Sequence, residues 1–302
     1  KIHRNEGPTR LGHTILYDTL INEPNDADTG IPAKDFTRNQ AFYDLEVEVD
    51  PSNDDIVYVG GIDWFRSQDG GTSWSQITRW NSFISGSTSV VHADQHGLYF
   101  RPGNSNQAIV VNDGGVAYTP SLSTASSTQN FIETEKNFVT LQVYKTAQTP
   151  AGYGSERILA GSQDNGTHYF SNAATATLGS TEIDGGDGGF TYIDQVNPAY
   201  IITNYVYNDA VVVKDIATGQ TVLNTLSDYT DGDTSDDQEG AFINPGALDS
   251  NLDILYVNAR KNGVNRIRRF KGLTTTPSDT YLTNVLISAE PTAFTVSANT
   301  TN

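Results

Sequence analysis

Three side chains that could bind a metal ion or take part in acid–base chemistry occur at alternate positions in one short segment: His92, Asp94 and His96. On a β-strand this spacing places all three on one face. Imidazole and carboxylate groups are ligands for zinc and other transition metals. The pattern therefore indicates a ligand-binding or metal-binding face. The alternative is that the histidines hydrogen-bond to neighbouring strands and fix the sheet.

Paired carboxylates are the second chemical signal. A glycoside hydrolase needs two carboxyl groups about 5 to 9.5 Å apart. The best pair joins Asp94 to Asp44 or to Asp187, so these three are the catalytic candidates. No G-x-S-x-G motif suggests a serine nucleophile. The side chains that we expect to approach one another as an acidic ring are Asp44, His92, Asp94, His96, Gln142, Tyr144, Asp184, Asp187 and Glu239. The predicted ligand-binding residues among them are His92, Asp94, His96, Tyr144, Asp187 and Glu239.

Residues 231–239 concentrate carboxylate oxygens in one short stretch. Such oxygens are the ligands that calcium prefers, although the spacing departs from that of an EF-hand loop. The segment therefore suggests calcium as a cofactor, and a solvated acidic loop is the alternative. The candidate calcium ligands are Asp231, Asp233, Asp236, Asp237 and Glu239.

The glycine-rich segment 184–189 contains Asp184 and Asp187 among four glycines. A phosphate-binding loop would need a following Lys and a helix, and neither is predicted here. The segment is therefore interpreted as a tight backbone turn.

Composition limits the range of partners. The 302 residues carry a formal net charge of -18, which argues against nucleic acids and anionic membrane surfaces. The absence of cysteine excludes disulfides and thiolate metal sites. No apolar run approaches the roughly 20 residues that a membrane-spanning helix needs.

The chain repeats with a period of 48 to 52 residues, measured between the aligned turn positions Pro51, Pro102, Pro150, Pro198, Ser250 and Ala298. Each repeat contains a strand, a polar turn, a second strand and a later Asp-Gly or Asn-Gly turn. Two turns in fixed order predict about four antiparallel strands per repeat. The expected fold is an all-β propeller with about five to six blades visible, which we expect to be part of a larger propeller. Residues 1–40 are predicted to form an irregular lead-in, with part of a preceding blade as the alternative. Residues 41–302 are predicted to hold the repeats and to end inside a blade.

In three of the repeats, apolar residues predict where the first strand lies. In the first repeat, Tyr43, Leu45, Val47 and Val49 alternate with acidic residues, which predicts that the apolar side chains form the buried face. The pair Phe242 and Ile243 marks a later repeat. Residues 294–296 mark a last partial copy.

Residues 67–74 read S-x-D-x-G-x-x-W, a pattern typical of a hairpin turn. The side chains of Ser67 and Asp69 can bond to backbone amides, Gly71 can adopt positive φ, and Trp74 can fold onto the sheet. This segment resembles the Asp-box, or BNR, of sialidases, sortilin-type receptors and xyloglucanase-type glycoside hydrolases. In these families the motif is structural.

Four further segments, residues 91–96, 112–116, 161–167 and 185–190, are similar to segments of large secreted propeller proteins of Bacteroidota. Those proteins leave the cell through the type IX secretion system. The resemblance implies an extracellular or cell-surface location, a removed signal peptide and a C-terminal sorting domain that would contact the secretion machinery.

The resemblance implies two classes of function. The first is a non-catalytic binding, adhesion or scaffold module that recognises a glycan or a surface protein. The alternative is a carbohydrate-active enzyme, either a glycoside hydrolase or a sialidase-like enzyme. The chain lacks the Phe-Arg-Ile-Pro segment of sialidases, which favours the non-catalytic module.

Overall fold

The computed structural model describes residues 36–82, 86–134, 141–173, 179–225, 240–261, 263–284 and 287–297. The chain divides into two compact units, Lys1–Val139 (unit 1) and Thr140–Asn302 (unit 2). The sequence-based boundary between a lead-in and the repeats near residue 40 stays a prediction. No helix among the described residues is long and apolar enough to cross a membrane.

Unit 1 contains two four-stranded antiparallel sheets, β1 to β4 and β7 to β10, and one two-stranded parallel sheet of β5 and β6. In both larger sheets each strand pairs with the next strand in the chain. The strands are β1 (Glu46–Val49), β2 (Val57–Gly60), β3 (Trp64–Ser67), β4 (Ser75–Gln76), β5 (Thr78–Arg79), β6 (Ser89–Val90), β7 (Gln95–Arg101), β8 (Asn104–Asn112), β9 (Gly115–Thr119) and β10 (Ile132–Glu133).

Unit 2 contains three four-stranded antiparallel sheets with the same sequential order. The first sheet consists of β11 (Lys145–Gln148), β12 (Ile158–Gly161), β13 (Thr167–Phe170) and β14 (Thr181–Asp184). The second consists of β15 (Gly188–Ile193), β16 (Tyr200–Tyr205), β17 (Val211–Asp215) and β18 (Gln220–Asn224). The third consists of β19 (Gly246–Asp249), β20 (Ile254–Lys261), β21 (Val264–Lys271) and β22 (Ser278–Tyr281).

The prediction of an all-β fold built from four-stranded antiparallel blades is confirmed. Five such sheets are present, and Leu122–Thr124 and Val206–Asn208 are short 3-10 turns. Sequential strand order is the order of a propeller blade.

A buried aspartate closes the first hairpin in three of the five blades. Asp50 accepts a hydrogen bond from the Ser52 amide at 2.8 Å, and Asp194 accepts one from the Asn197 amide at 2.8 Å. Asp249 accepts one from the Asn251 amide at 3.1 Å. Each carboxylate satisfies backbone donors that the turn would otherwise leave unpaired. This recurring bond is the physical origin of the polar turn in the sequence repeat.

Each unit has its own apolar core. In unit 1, Tyr58, Trp64 and Leu98 lie in one cluster of buried side chains between the sheets. In unit 2, Ile202 and Phe270 belong to the larger of two such clusters. These cores hold the sheets whose ends carry the polar side chains described below.

The expected burial of the first strand is wrong. The apolar residues Val47 and Val49 are 44% and 47% exposed, whereas Glu46 and Glu48 are half-buried. Burial, and secondarily the neighbouring Glu46, raises the pKa of Glu48. The period of two is correct but the face is inverted, because alternation fixes which side chains share a face and not which face meets a neighbour.

Two other predicted first strands are also wrong. The first strand of the last blade is Gly246–Asp249 rather than Phe242 and Ile243, which lie in an irregular segment. Residues 294–296 form no strand. Phe242 instead makes an edge-to-face contact with Tyr207, with ring centroids 5.3 Å apart. An apolar pair is therefore also explained by packing of a loop.

Candidate functional site

The residues predicted to form an acidic ring belong to different parts of the chain. Asp44 and the segment from His92 to His96 belong to unit 1, and Tyr144 and Asp187 belong to unit 2. The ring and the Asp94–Asp187 pair therefore stay predictions. The candidate calcium loop at residues 231–239, with Glu239, lies outside the described residues.

The His-x-Asp-x-His segment of unit 1 is not a continuous strand. β7 begins at Gln95, and Asp94 before it has a positive φ of 61°. The buried Gln95 side chain donates hydrogen bonds to the His92 carbonyl at 2.6 Å and to the Ile62 carbonyl at 3.2 Å, which closes a bend. Because the backbone bends between His92 and His96, the assumption of one shared strand face is wrong.

The two histidines of this segment contact different neighbours. His96 Nε2 lies 2.5 Å from Asp113 Oδ1, and the Tyr43 hydroxyl donates to the same carboxylate at 3.0 Å. The His92 ring lies against Gly114, where an added Cβ would be 2.4 Å from its Cγ. Among the described residues, neither His92 nor His96 belongs to a group of three carboxylate or imidazole side chains whose ligand atoms lie within 4.8 Å of one another. This geometry favours the interpretation that the histidines fix neighbouring strands.

Asp44 is fully buried, at 0% exposure. Its backbone amide donates to the Gln40 carbonyl at 3.1 Å, and the Gln40 side chain donates to Asp94 Oδ1 at 3.4 Å. A carboxyl group closed off from solvent cannot touch a glycan directly. This burial counts against Asp44 as half of a catalytic pair with Asp94.

Unit 2 contains a cavity of about 390 Å³. It lies where the start of β13 and the end of β14 meet the end of β16 and the start of β17. The residues that line it are Thr167, Asp184, Gly185, Asp187, Thr203, Asn204, Tyr205, Asp209, Ala210 and Val212.

Glycines allow the backbones beside this cavity to approach closely. The Gly188 amide donates to the Ser162 carbonyl at 2.8 Å, and the Gly166 amide donates to the Gly186 carbonyl at 2.6 Å. A Cβ on Gly188 would lie 2.2 Å from the Gly166 carbonyl oxygen. The expected tight turn therefore has a clear steric basis. Asp187 is the only residue between Gly185 and Gly189 that carries a side chain.

Asp187 is half-buried, and its carboxylate accepts two hydrogen bonds from neutral donors. Its Oδ1 accepts from the Asp164 amide at 3.0 Å, and its Oδ2 accepts from the Tyr205 hydroxyl at 3.4 Å. Burial, and then the charge of Asp187, raises the pKa of Tyr205. Burial also raises the pKa of Tyr144, with smaller contributions from Asp164 and Asp187. Tyr144 and Asp187, both predicted from the sequence, therefore share one electrostatic environment.

Asp184 has a different role in the same cavity. Its Oδ1 accepts from Lys214 Nζ at 2.7 Å, and its Oδ2 accepts from the Thr203 hydroxyl at 2.6 Å. Lys214 also donates to the Ile183 carbonyl at 2.7 Å. Both carboxylate oxygens are thus engaged by the protein, and Asp184 holds β14 against β16 and β17.

The cavity residues that the sequence analysis missed include Asn204, Tyr205 and Asp209. Asn204 is 1% exposed, its Nδ2 donates to Asn208 Oδ1 at 2.8 Å, and its Oδ1 has no hydrogen-bond partner. A signal was present in the sequence, because Asn204 lies in the strand that begins with the apolar residues 200–202. Buried polar side chains on core strands usually have a specific partner.

The chain matches no protein-family model and no curated protein. Among solved structures, it is similar to the extracellular domain of a protein described as a one-component system from B. thetaiotaomicron. The identity is 12%, the TM-score is 0.32, and the match covers 80% of this chain and 31% of the other.

Two further solved structures show similarity of the same degree. The WD40 repeats of RRP9 match at 13% identity and a TM-score of 0.33, covering 61% of this chain and 50% of that one. The computationally designed Ika8 protein matches at 16% identity and a TM-score of 0.33, covering 82% and 64%. The chain therefore spans about a third of the first protein and half of the second. Similarity of this degree does not bear on function.

Proposed function

We propose that the protein is a binding module that recognises a glycan in the cavity of unit 2. The observation that carries the proposal is a 390 Å³ space lined by Asp187, Asp209, Asn204 and the aromatic side chain of Tyr205. Ligand pockets typically measure about 300 to 1,000 Å³ and combine apolar walls with a few convergent polar groups.

The chemistry of the lining suits a polyhydroxylated ligand. Carboxylate and amide oxygens accept hydrogen bonds from sugar hydroxyls, and a tyrosine ring offers an apolar face to a pyranose. The apolar side chains of Ala210 and Val212 complete the wall. The net charge of -18 disfavours polyanionic ligands.

A glycoside hydrolase is the second candidate, because Asp184 and Asp187 line the same cavity. Catalysis would need one carboxyl group to donate a proton and another to act as base or nucleophile. Asp184 is poorly placed for either role, since Lys214 and Thr203 already engage both of its oxygens. A binding function leaves the hydrogen bonds of Asp184 with Lys214 and Thr203 intact.

We also propose that this module belongs to a secreted or cell-surface protein exported by the type IX secretion system. The support is the resemblance of residues 91–96, 112–116, 161–167 and 185–190 to such proteins. Binding of a surface glycan or a surface protein would then serve adhesion or scaffolding. The secretion machinery would be a partner through a segment outside this chain.

Calorimetric titration of the full chain with short neutral and amino-sugar oligosaccharides tests the binding function. We expect binding of at least one of them, weakened about fivefold or more by Tyr205→Ala, because aromatic contacts of this kind contribute about 1 kcal/mol or more. Tyr205→Phe keeps the ring and should have a smaller effect. Tyr99→Ala removes a 56% exposed tyrosine of unit 1 and is the matched control.

Two outcomes would contradict the binding module. The first is that no oligosaccharide of the panel binds, and the second is that Tyr205→Ala binds as well as the unaltered chain. Chromatography of the same mixtures after prolonged incubation distinguishes the enzyme. Hydrolysis products that disappear with Asp187→Asn would establish the glycoside hydrolase instead.

A further inference from the structure

The carboxylates of the unit 2 cavity differ in how their charge is balanced. Lys214 forms an ion pair with Asp184 at 2.7 Å. Asp187 receives only neutral donors, the Asp164 amide at 3.0 Å and the Tyr205 hydroxyl at 3.4 Å. Among the described residues no cationic side chain pairs with Asp187, so a negative charge remains at the cavity wall.

Asn204 supplies an independent observation. It lines the cavity, is 1% exposed, and its Oδ1 has no hydrogen-bond partner. A buried carbonyl oxygen without a donor costs free energy that a ligand donor would recover. The wall therefore offers an unused acceptor beside an unbalanced negative charge. Both features call for a ligand that brings hydrogen-bond donors and a positive charge.

An organic cation fits this wall better than a metal ion. Calcium binds six to eight oxygens that converge on one point. Among the described residues, the carboxylates that line the cavity belong to no group of three carboxylate or imidazole side chains whose ligand atoms lie within 4.8 Å of one another; these carboxylates are Asp184, Asp187 and Asp209. The acceptors are instead spread over a space of about 390 Å³ that also contains Ala210, Val212 and Tyr205. An ammonium group can also bind favourably near a tyrosine ring.

We infer that the ligand of this cavity is an amino sugar with a free, protonated amine. This inference rests on the proposed glycan-binding function and narrows its ligand class. The ammonium group binds at Asp187, while sugar hydroxyls donate to Asn204 Oδ1 and to Asp209. The sugar ring lies against Tyr205 and the apolar wall.

Three trisaccharides that differ only at carbon 2 test the inference. They are the β-1,4-linked trimers of glucosamine, of N-acetylglucosamine and of glucose, titrated into the full chain at mildly acidic pH and low ionic strength. We expect the glucosamine trimer to bind about tenfold or more tightly than the other two, because charged hydrogen bonds are the stronger ones. Added salt should reduce this preference.

Asp187→Asn should abolish the preference while it retains an acceptor for the Asp164 amide. The matched control is Asp54→Asn, which removes the same charge from an exposed turn of unit 1 and should keep the preference. Circular dichroism of both variants checks that the fold is intact. A preference that persists in Asp187→Asn would overturn the assignment of the ammonium group to this carboxylate.

The remaining outcomes separate the two proposals. Equal affinities for the three trimers would overturn the amino-sugar inference and leave glycan binding in place. Binding of none of them, with no binding by other oligosaccharides, would overturn both. If ethanolamine binds as tightly as the glucosamine trimer, the site recognises an ammonium group alone, and the sugar assignment is wrong.

Discussion

The turns around Asp69 and Asp187 both contain an aspartate followed by two glycines, but the two aspartates accept hydrogen bonds from different places. Asp69 accepts hydrogen bonds within its own turn, from the Ser67 hydroxyl at 2.8 Å, the Thr72 amide at 3.0 Å, and the Ser73 amide and hydroxyl at 2.8 and 2.6 Å. Asp187 has no donor within its turn and receives its two bonds from Asp164 and Tyr205.

This difference separates a structural aspartate from a candidate functional one. The carboxylate of Asp69 is saturated by donors of its own turn. These hydrogen bonds lower the pKa of Asp69 to about 2, and the Ser73 hydroxyl makes the largest contribution. Asp187 keeps acceptor capacity toward a cavity because its turn is held by backbone contacts between glycines. An Asp-Gly motif is therefore informative about function only once the donors to its carboxylate are known.

The largest effect that we expect comes from the glycines. A Cβ on Gly188 would lie 2.2 and 2.7 Å from backbone atoms of Gly166 and Ser162, so Gly188→Ala should lower the free energy of unfolding by about 3 kcal/mol. Gly71→Ala should cost only about 1 kcal/mol, because its Cβ meets nothing closer than 3.6 Å and the cost is the positive φ.

Urea unfolding of the full chain measures both variants. All the tryptophans, Trp64, Trp74 and Trp80, belong to unit 1, so fluorescence reports that unit while circular dichroism reports both. Gly188→Ala should shift the dichroism transition more than the fluorescence transition. Equal costs for the two glycine variants would contradict the view that the Asp187 turn is held by close backbone packing.

The second expected effect concerns the carboxylates. Asp187→Ala should lower the free energy of unfolding by only about 1 kcal/mol, because the loss of two hydrogen bonds from neutral donors is partly offset by removal of an unbalanced charge. Asp69→Ala loses every donor contact of the Ser67–Trp74 turn and should shift the fluorescence transition to lower urea. If Asp187→Ala were the more destabilising change, Asp187 would have a structural role like that of Asp69.

The smallest effect is a pH dependence that arises from the Asp69 turn. The pKa of Asp69 is lowered from 3.8 to about 2 in the folded protein, so its ionised form favours folding. This contribution is complete above pH 3.8 and is lost as the pH falls through about 2. Fluorescence-detected unfolding in acid should therefore be less pH-dependent in Asp69→Asn. An unchanged acid profile in that variant would contradict the hydrogen-bond network.

The blades could be predicted from the sequence because their signals are local. The polar turns with Asp50, Asp194 and Asp249 recur at a regular spacing, and each one closes a hairpin through bonds to residues two or three positions away. The Ser67–Trp74 motif likewise contains its own donors and acceptors. Local hydrogen bonds of this kind depend little on the rest of the chain.

The candidate site could be predicted only in part. Asp187 and Tyr144 were identified from their places in the repeat, but Asn204 and Tyr205 come from a strand that reads as core. The bend at Asp94 was also missed, because it depends on a hydrogen bond from Gln95 to the carbonyl of Ile62, which lies between β2 and β3. Contacts between distant residues leave no periodic signal.

The sequence by itself determined the strand period, the turn positions and the four-stranded blade, since these follow from backbone geometry and from hydrogen bonds over a few residues. Only the tertiary structure decided that Val47 and Val49 face outward and that Asp187 lines a cavity. The physical reason is the same in both cases. The burial of a face, and the number of donors that reach a carboxylate, depend on which strands pack beside it.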